Sequence, residues 1–249
     1  MRPFLFAVSF LSALPVPGAD REVAPRTLAW GAALFPAVGL ILGGLLYLAD
    51  LLLGFTPGWL SALLLVVLLS LLTRGLHLDG LADTADALGS GQPRERALEI
   101  MRDPRLGTFG VLALLVALSL KVAFLAALAL EIRGEALLLF PMLARWPIVW
   151  AVATQPAAVE RPGLGRSFSD QVGRPQVALA TAITIVAAWL LYGPAGILLL
   201  SLAGIFAVAG QFYLARRFGG ITGDTLGALI EATEVWTLFA LVWLAGSGL

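Results

Sequence analysis

The chain alternates long apolar runs with short polar segments. The first run, residues 4–14, would be only about 16 Å long as a helix. The hydrocarbon core of a bilayer is about 30 Å thick, so a re-entrant or interfacial segment is expected there. Its end, Leu14-Pro15-Val16-Pro17-Gly18, is not a signal-peptide cleavage site. Residues 28–54 form the first full span, and Phe55-Thr56-Pro57-Gly58 is a tight turn. Residues 59–73 return, and one continuous helix is expected to run on into the polar stretch that follows. Gly89-Ser90-Gly91-Gln92-Pro93 breaks it, with Pro93 at the start of a short helix reaching about Arg102. Asp103-Pro104 stops that helix, because the residue before proline avoids the α region. Spans follow at 107–130 and 134–154, and a polar Gly- and Pro-rich loop at 155–175. Residues 176–192 and 195–215 pair as a hairpin about Gly193-Pro194. Residues 216–234 are polar, and 235–249 close the chain. The pattern predicts an all-α, polytopic membrane helical bundle. It has about seven transmembrane helices plus the short N-terminal segment, in a single integral-membrane domain over residues 1–249. No internal repeat stands out.

Composition strengthens this picture. The chain is 59% hydrophobic and 13% charged, against about 25% charged in a soluble domain. Zero net charge argues against nucleic acid as a partner. The absence of cysteine removes disulfides, thiolate metal sites and cysteine nucleophiles.

Charge placement orients the bundle. One side receives Arg2, Arg21, Arg26, Arg74, Arg94, Arg96, Arg102, Arg105, Arg161, Arg166, Arg174, Arg216 and Arg217, and the other receives only Arg133. Basic loops stay inside. The expected location is the cytoplasmic (inner) membrane, with the candidate chemistry facing the cytoplasm.

That chemistry begins in Arg74-Gly75-Leu76-His77-Leu78-Asp79-Gly80-Leu81-Ala82-Asp83-Thr84-Ala85-Asp86. On a helix, Asp79, Asp83 and Asp86 share one face. Such carboxylates repel unless a cation sits between them or one holds a proton. Hard oxygen ligands suit Mg²⁺, although a solvated polar face has the same spacing. Glu99 and Asp103 form a second pair, four residues apart. The break at 89–93 would let them converge with the first three, or they would simply pair with Arg96, Arg102 or Arg105. Arg102 and Arg105 are candidates to hold phosphate oxygens, and positive-inside anchoring explains them equally well.

The third cluster is Gly219-Gly220-Ile221-Thr222-Gly223-Asp224-Thr225-Leu226-Gly227 with Glu231 and Glu234. Its glycines would allow close backbone contact with a ligand at Gly223 and Asp224, with Glu231 on the same helix face. A plain loop with an Asp cap is the alternative. Arg145 stands mid-span, where an unpaired charge costs roughly 2.5–3.5 kcal/mol on insertion scales. It is expected to pair with a carboxylate or a substrate phosphate. Lys121 could snorkel to either surface. His77 is either a general base or a group that orients a neighbouring aspartate.

Gly75-Leu76-His77-Leu78-Asp79-Gly80-Leu81-Ala82-Asp83-Thr84-Ala85-Asp86 followed by Leu98-Glu99-Ile100-Met101-Arg102-Asp103-Pro104-Arg105-Leu106-Gly107 resembles the cobalamin (5′-phosphate) synthase family. These enzymes are also called adenosylcobinamide-GDP ribazoletransferases. Phe10-Leu11-Ser12-Ala13-Leu14-Pro15-Val16-Pro17, Phe35-Pro36-Ala37-Val38-Gly39, Ala144-Arg145-Trp146, Gly163-Leu164-Gly165 and the 219–228 segment are similar to its other motifs. Ala87 replaces a commoner glycine and Pro104 a commoner serine.

The resemblance implies a reaction. α-Ribazole or its 5′-phosphate attacks the phosphorus that bears cobinamide in adenosylcobinamide-GDP. GMP leaves, and adenosylcobalamin or its 5′-phosphate is formed. It also implies Mg²⁺ held by Asp79, Asp83, Asp86, Glu99 and Asp103. Catalysis would fall to His77, Asp83, Arg102 and Arg105. Substrate binding would fall to Arg74, Arg145, Gly223, Asp224 and Glu231. The lipid bilayer is an expected partner, and the chain could assemble as a homo-oligomer or with other cobalamin-pathway enzymes. The Asp-Gly pair followed by further aspartates has a likeness to CDP-alcohol phosphotransferases, which makes a lipid-synthesising enzyme one alternative. An ion-coupled transporter is another. A transporter should hold its ionisable groups near mid-bilayer, whereas the carboxylates here are expected at the cytoplasmic helix ends.

Overall fold

A computed structural model describes residues 2–17, 24–158, 168 and 170–246. Among these, ten helices form a bundle, and the only β-pairing is an isolated bridge between Ala157 and Ile221. Arg21, Arg161, Arg166 and Gly163-Leu164-Gly165 lie outside the described residues.

Helix α1 (Arg2–Leu11) lays Ala7, Val8 and Leu11 against the bundle. Its Phe6 and Phe10 join Phe35 and Phe168 in an aromatic cluster. The expected first span is divided into α2 (Pro25–Ala32) and α3 (Phe35–Leu52). Pro36 lacks the N–H that would bond the Ala32 carbonyl, so the helix restarts there. Helix α8 (Leu130–Thr154) is the central post and is buried along most of its length. On α3, Gly39 lies against the Pro141–Met142 backbone and Gly43 against that of Leu137–Leu138. Small residues four apart let two membrane helices meet backbone to backbone.

The expected continuous helix through residue 73 is broken. Helices α4 (Gly58–Leu72) and α5 (Leu76–Gly89) meet at 90°. Arg74 (φ 54°) and Gly75 (φ 65°) both take left-handed conformations, which end an α-helix. The Arg74 guanidinium donates to the carbonyls of Ser9 and Ser12 at the end of α1, and the Ala13 N–H donates to the Leu72 carbonyl. These bonds offset the strain of a non-glycine residue at positive φ.

Helix α6 (Arg94–Ile100) and α7 (Thr108–Ala127) follow. Helix α9 (Arg174–Phe218) is 45 residues long and reverses at Gly193 (φ 56°, ψ −139°), next to Pro194. Thr181 Oγ1 accepts the Trp146 Nε1–H, and Gly204 touches the same indole ring. The two arms of α9 therefore lie side by side, as the hairpin reading required. Helix α10 (Gly223–Gly246) replaces the expected polar stretch and short closing segment with one uninterrupted helix.

Among the described residues, five helices are long and apolar enough to cross a bilayer, or six with the bent α4–α5 pair, against the seven expected. Outward faces carry Leu52, Leu71, Val116, Leu190 and Ile205, which suits a surrounding of lipid.

Candidate functional site

Helix α5 is held at three points. Its start is tied to α1 through Arg74. Its middle crosses α10 with little between the backbones. Gly80 faces the Asp224 backbone, and Gly227 faces the His77 backbone and the Gly80 Cα. A side chain at Gly80 would meet the Asp224 carbonyl oxygen at 2.7 Å, so only glycine permits this approach. Its end is fixed to α7 by Asp86.

This crossing leaves Asp79 and Asp83 on an open flank. They line a cleft of about 480 Å³ with Arg74, Gly75, Leu76, Leu78, Pro104 and Leu106. Asp79 is exposed and Asp83 half-buried. Asp224 comes from the facing helix and stands within electrostatic reach of both. It sits in the first turn of α10, where the helix dipole favours negative charge. That turn is built by Thr222 and Thr225, which cap each other. The Thr225 N–H donates to Thr222 Oγ1 at 3.1 Å, and the Thr222 N–H to Thr225 Oγ1 at 2.8 Å. The preceding glycines serve packing. Gly219 (φ 72°) lies under the Arg94 guanidinium and Gly220 against residues 156–158. Gly223 is exposed, with nothing within 4 Å of a side chain placed there.

The other expected metal ligands have different partners. The Asp86 carboxylate accepts the N–H groups of Gly107 at 2.7 Å and Gly110 at 2.8 Å, so it caps α7 from another helix. Glu99 is exposed and pairs with Arg96 at 2.5 Å. Asp103 pairs with Arg105 at 2.5 Å. Arg105's hydrogen bonds hold the Asp103 carboxyl at about 2, well below the usual carboxylate range. Arg102 is exposed, within electrostatic reach of Asp224. The five expected ligands are therefore not gathered, and among the described residues no group of three or more acidic or histidine side chains is arranged to hold a metal ion. Asp79 and Asp83 still present hard oxygens to the cleft, and Asp224 on the facing helix lies within electrostatic reach of them. Mg²⁺ takes one or two carboxylates and fills its shell with water and substrate phosphate. An open set of this kind fits it.

Two turns below Asp224 lies a second charged group, inside the bundle. Lys121 of α7 donates to Glu231 at 2.6 Å and also to Glu234, both on α10. Arg145 of α8 donates to Glu234 Oε1 and to the Pro141 carbonyl, at 2.9 and 2.8 Å. All four side chains are at most 5% exposed. His77 is buried on the side of α5 facing this group, within electrostatic reach of Arg145, Glu234 and Lys121. It does not line the Asp79 cleft, and neither ring nitrogen has a hydrogen-bond partner among the described residues. His77, Arg145 and Glu231 thus lie inside the bundle, away from the Asp79 cleft.

The family model described as cobalamin-5-phosphate synthase matches residues 3–242. The chain belongs to the cobalamin-5-phosphate synthase family. It is similar to proteins named adenosylcobinamide-GDP ribazoletransferase. That of Geotalea daltonii is 39% identical, over 99% of both chains. That of Syntrophobacter fumaroxidans is 42% identical, over 94% of this chain and 95% of the relative. That of Pseudomonas fluorescens is 40% identical, over 97% and 99%. No solved structure matches.

In this synthase-family fold, Lys121 and Glu234 are the residues that sequence reasoning undervalued. Glu234 was read as part of a polar loop and Lys121 as a snorkelling side chain. Charge balance within the spans would have found them. Two lone cations in apolar helices call for two carboxylates, and Glu231 and Glu234 lie three apart on one helix face. The expectation that carboxylates cluster only at helix ends is corrected accordingly. These buried charges are paired to neutrality, however, and they do not line the Asp79 cleft.

Proposed function

We propose that the chain transfers the cobinamide-phosphate portion of adenosylcobinamide-GDP to α-ribazole or its 5′-phosphate. GMP is released and adenosylcobalamin or its 5′-phosphate is formed, with Mg²⁺ as the metal. The relatives' names supply the donor and the ribazole acceptor. One observation carries the chemical reading: Asp79 and Asp83 of α5 line one cleft with Arg74, and Asp224 of α10 lies within electrostatic reach of both.

Asp79 and Asp83 would hold the ion, with Asp224 adding negative charge from the facing helix. When bound, Mg²⁺ neutralises diphosphate oxygens and so eases displacement of the nucleotide. The residues of the chain do the rest. Arg102, exposed near Asp224, is placed to fork onto phosphate oxygens. Arg105 can do so once it exchanges Asp103 for a phosphate. Its exposed pair with Asp103 is worth little. Asp83, half-buried beside Asp79, would take the proton of the attacking hydroxyl. The acceptor oxygen forms the new bond to phosphorus, the bond to the bridging oxygen breaks, and GMP carries that oxygen away.

The site opens at the end of the bundle where α5 and α6 and the N-termini of α7 and α10 gather, beside Arg94, Arg96, Arg102, Arg105 and Arg217. Arg133 is buried at the opposite end with Asp50 and Ser61. This distribution supports a cytoplasmic-facing site in the inner membrane.

The test uses purified protein in lipid nanodiscs with adenosylcobinamide-GDP, α-ribazole and Mg²⁺. GMP and the new corrinoid should appear in equal amounts. The proposal fails if no GMP forms, or if only a CDP-linked donor is consumed.

A further inference from the structure

The Asp79 cleft does not end at its polar wall. Leu78 of α5 lines both the cleft and a second groove, of about 680 Å³, between α4 and α7. Leu114 of the cleft and Leu118 of the groove lie one turn apart on α7. The 90° corner between α4 and α5 separates the two spaces. Ser70 and Leu71 just before it line the groove, and Arg74 and Gly75 just after it line the cleft. The groove is walled by Trp59, Leu63 and Val67 of α4 and by Leu118, Val122 and Ala126 of α7. Its hydroxyls are those of Ser70 and Ser119, and Ser70 Oγ already donates to the Val66 carbonyl of its own helix. Trp59, Leu63 and Val67 are exposed, so the groove opens sideways, where lipid surrounds the bundle.

Size and charge select an occupant. From Trp59 to Leu71 the groove follows twelve residues of α4, roughly 18 Å of helix. The acyl chains of one leaflet fill about half of the ~30 Å hydrocarbon core, so one extended chain matches the groove. A nucleotide or diphosphate would lose its hydration there without gaining a partner. At the cleft end stand one cation, Arg74, and two carboxylates, Asp79 and Asp83. Arg74 is exposed and gives only Nη2 to the Ser9 and Ser12 carbonyls, so Nε and Nη1 remain as donors. A zwitterionic head answers this pattern, with its phosphate on Arg74 and its ammonium on the aspartates. A purely anionic head would bring a phosphate to two carboxylates with no ammonium between, and is repelled.

We propose that the cleft and the α4–α7 groove together bind one phosphatidylethanolamine molecule of the bilayer. One acyl chain lies in the groove, the phosphate meets Arg74, and the primary ammonium meets Asp79 and Asp83. The lipid and a phosphorylated substrate then take the cleft in turn. This site goes beyond the transferase reading and does not depend on it.

The test places the protein in nanodiscs made from equal parts of phosphatidylethanolamine and phosphatidylglycerol, releases it into mild detergent and weighs it by native mass spectrometry. One phosphatidylethanolamine should remain per chain, favoured over phosphatidylglycerol by about fivefold or more. A phosphatidylethanolamine carrying a photoactivatable diazirine on one acyl chain should cross-link to residues 59–71 and 118–126. Ala123→Phe fills the groove from an exposed position. It should cut retention and cross-linking about fivefold with an unchanged melting temperature. If it does not fold, Ser119→Phe, also exposed in the groove, takes its place. Asp79→Asn combined with Asp83→Asn should keep the cross-links and lose the preference between the two lipids. The proposal is overturned by loss of all lipid on release, by equal retention of both lipids in the wild type, or by cross-links only elsewhere. It is equally overturned if groove filling changes nothing, or if the preference survives loss of both aspartates. None of these readings uses GMP release, so failure of the transferase reading leaves them intact.

Discussion

Asp86 offers a sharp test of how the acidic helix divides its labour. Its spacing from Asp79 and Asp83 marks it as a third metal ligand, but its carboxylate is spent on two backbone N–H groups of α7, at 2.7 and 2.8 Å. Glycine at 107 and 110 makes this possible, because a side chain at either position would collide with the carboxylate. Hydrogen bonds to a charged group are worth about 1.5–3 kcal/mol each when buried. Loss of a helix cap costs about 0.5–2 kcal/mol, and loss of the charge at a helix N-terminus a further ~0.3–1 kcal/mol. Asp86→Asn keeps one acceptor oxygen but sets an NH₂ group against a backbone donor. We expect it to destabilise the protein by about 2 kcal/mol, with Asp86→Ala worse. Thermal unfolding in nanodiscs measures this. Above the folding threshold, Asp86→Asn should leave the Mg²⁺ concentration for half-maximal GMP release unchanged within about twofold. An unchanged melting temperature together with a Mg²⁺ requirement raised tenfold would show that Asp86 is a ligand and that the cap is incidental.

Three other outcomes are expected. Asp79→Asn and Asp83→Asn should each fold but lose more than tenfold in turnover, at least about 1.4 kcal/mol of barrier. GMP release across a Mg²⁺ titration checks this, and near-wild-type rates in both would remove the α5 carboxylates from the chemistry. Arg145→Leu leaves Glu234 short of a partner inside the bundle and should cost about 3–5 kcal/mol, read as loss of folded protein in detergent. Arg145→Leu combined with Glu234→Gln should be milder. Finally, the chain has no native cysteine, so one introduced at Gln92 should react with a membrane-impermeant thiol reagent only from the cytoplasm. One at Phe55, 87% exposed at the opposite end, should react only from outside. The reverse pattern would invert the proposed topology.

The division between what the sequence discloses and what it hides follows the range of the interactions. Asp79 and Asp83 are legible because four residues on a helix make one face, a purely local fact. The reversal of α9 at Gly193-Pro194 is legible for the same reason. The break at Arg74 is not, because a left-handed arginine has no local signature. It is held by the Ser9 and Ser12 carbonyls, more than sixty residues earlier in the chain. The Asp86 cap is hidden because its partners, Gly107 and Gly110, are glycines whose N–H groups carry no side-chain signal. The burial of Glu231 and Glu234 inside a span is not legible, because carboxylates in a span are costly when considered singly. The cost falls only when Lys121 and Arg145, 110 and 89 residues away, are brought to them. Each misreading thus concerns a polar group whose partner is distant, and each concerns the same helix or its neighbours. The acidic cleft is written in one short motif, but its shape is set by contacts from α1, α7, α8 and α10. A chain with the motif intact and Gly110 altered should therefore keep its sequence resemblance and lose the Asp86 contact that fixes α5 to α7.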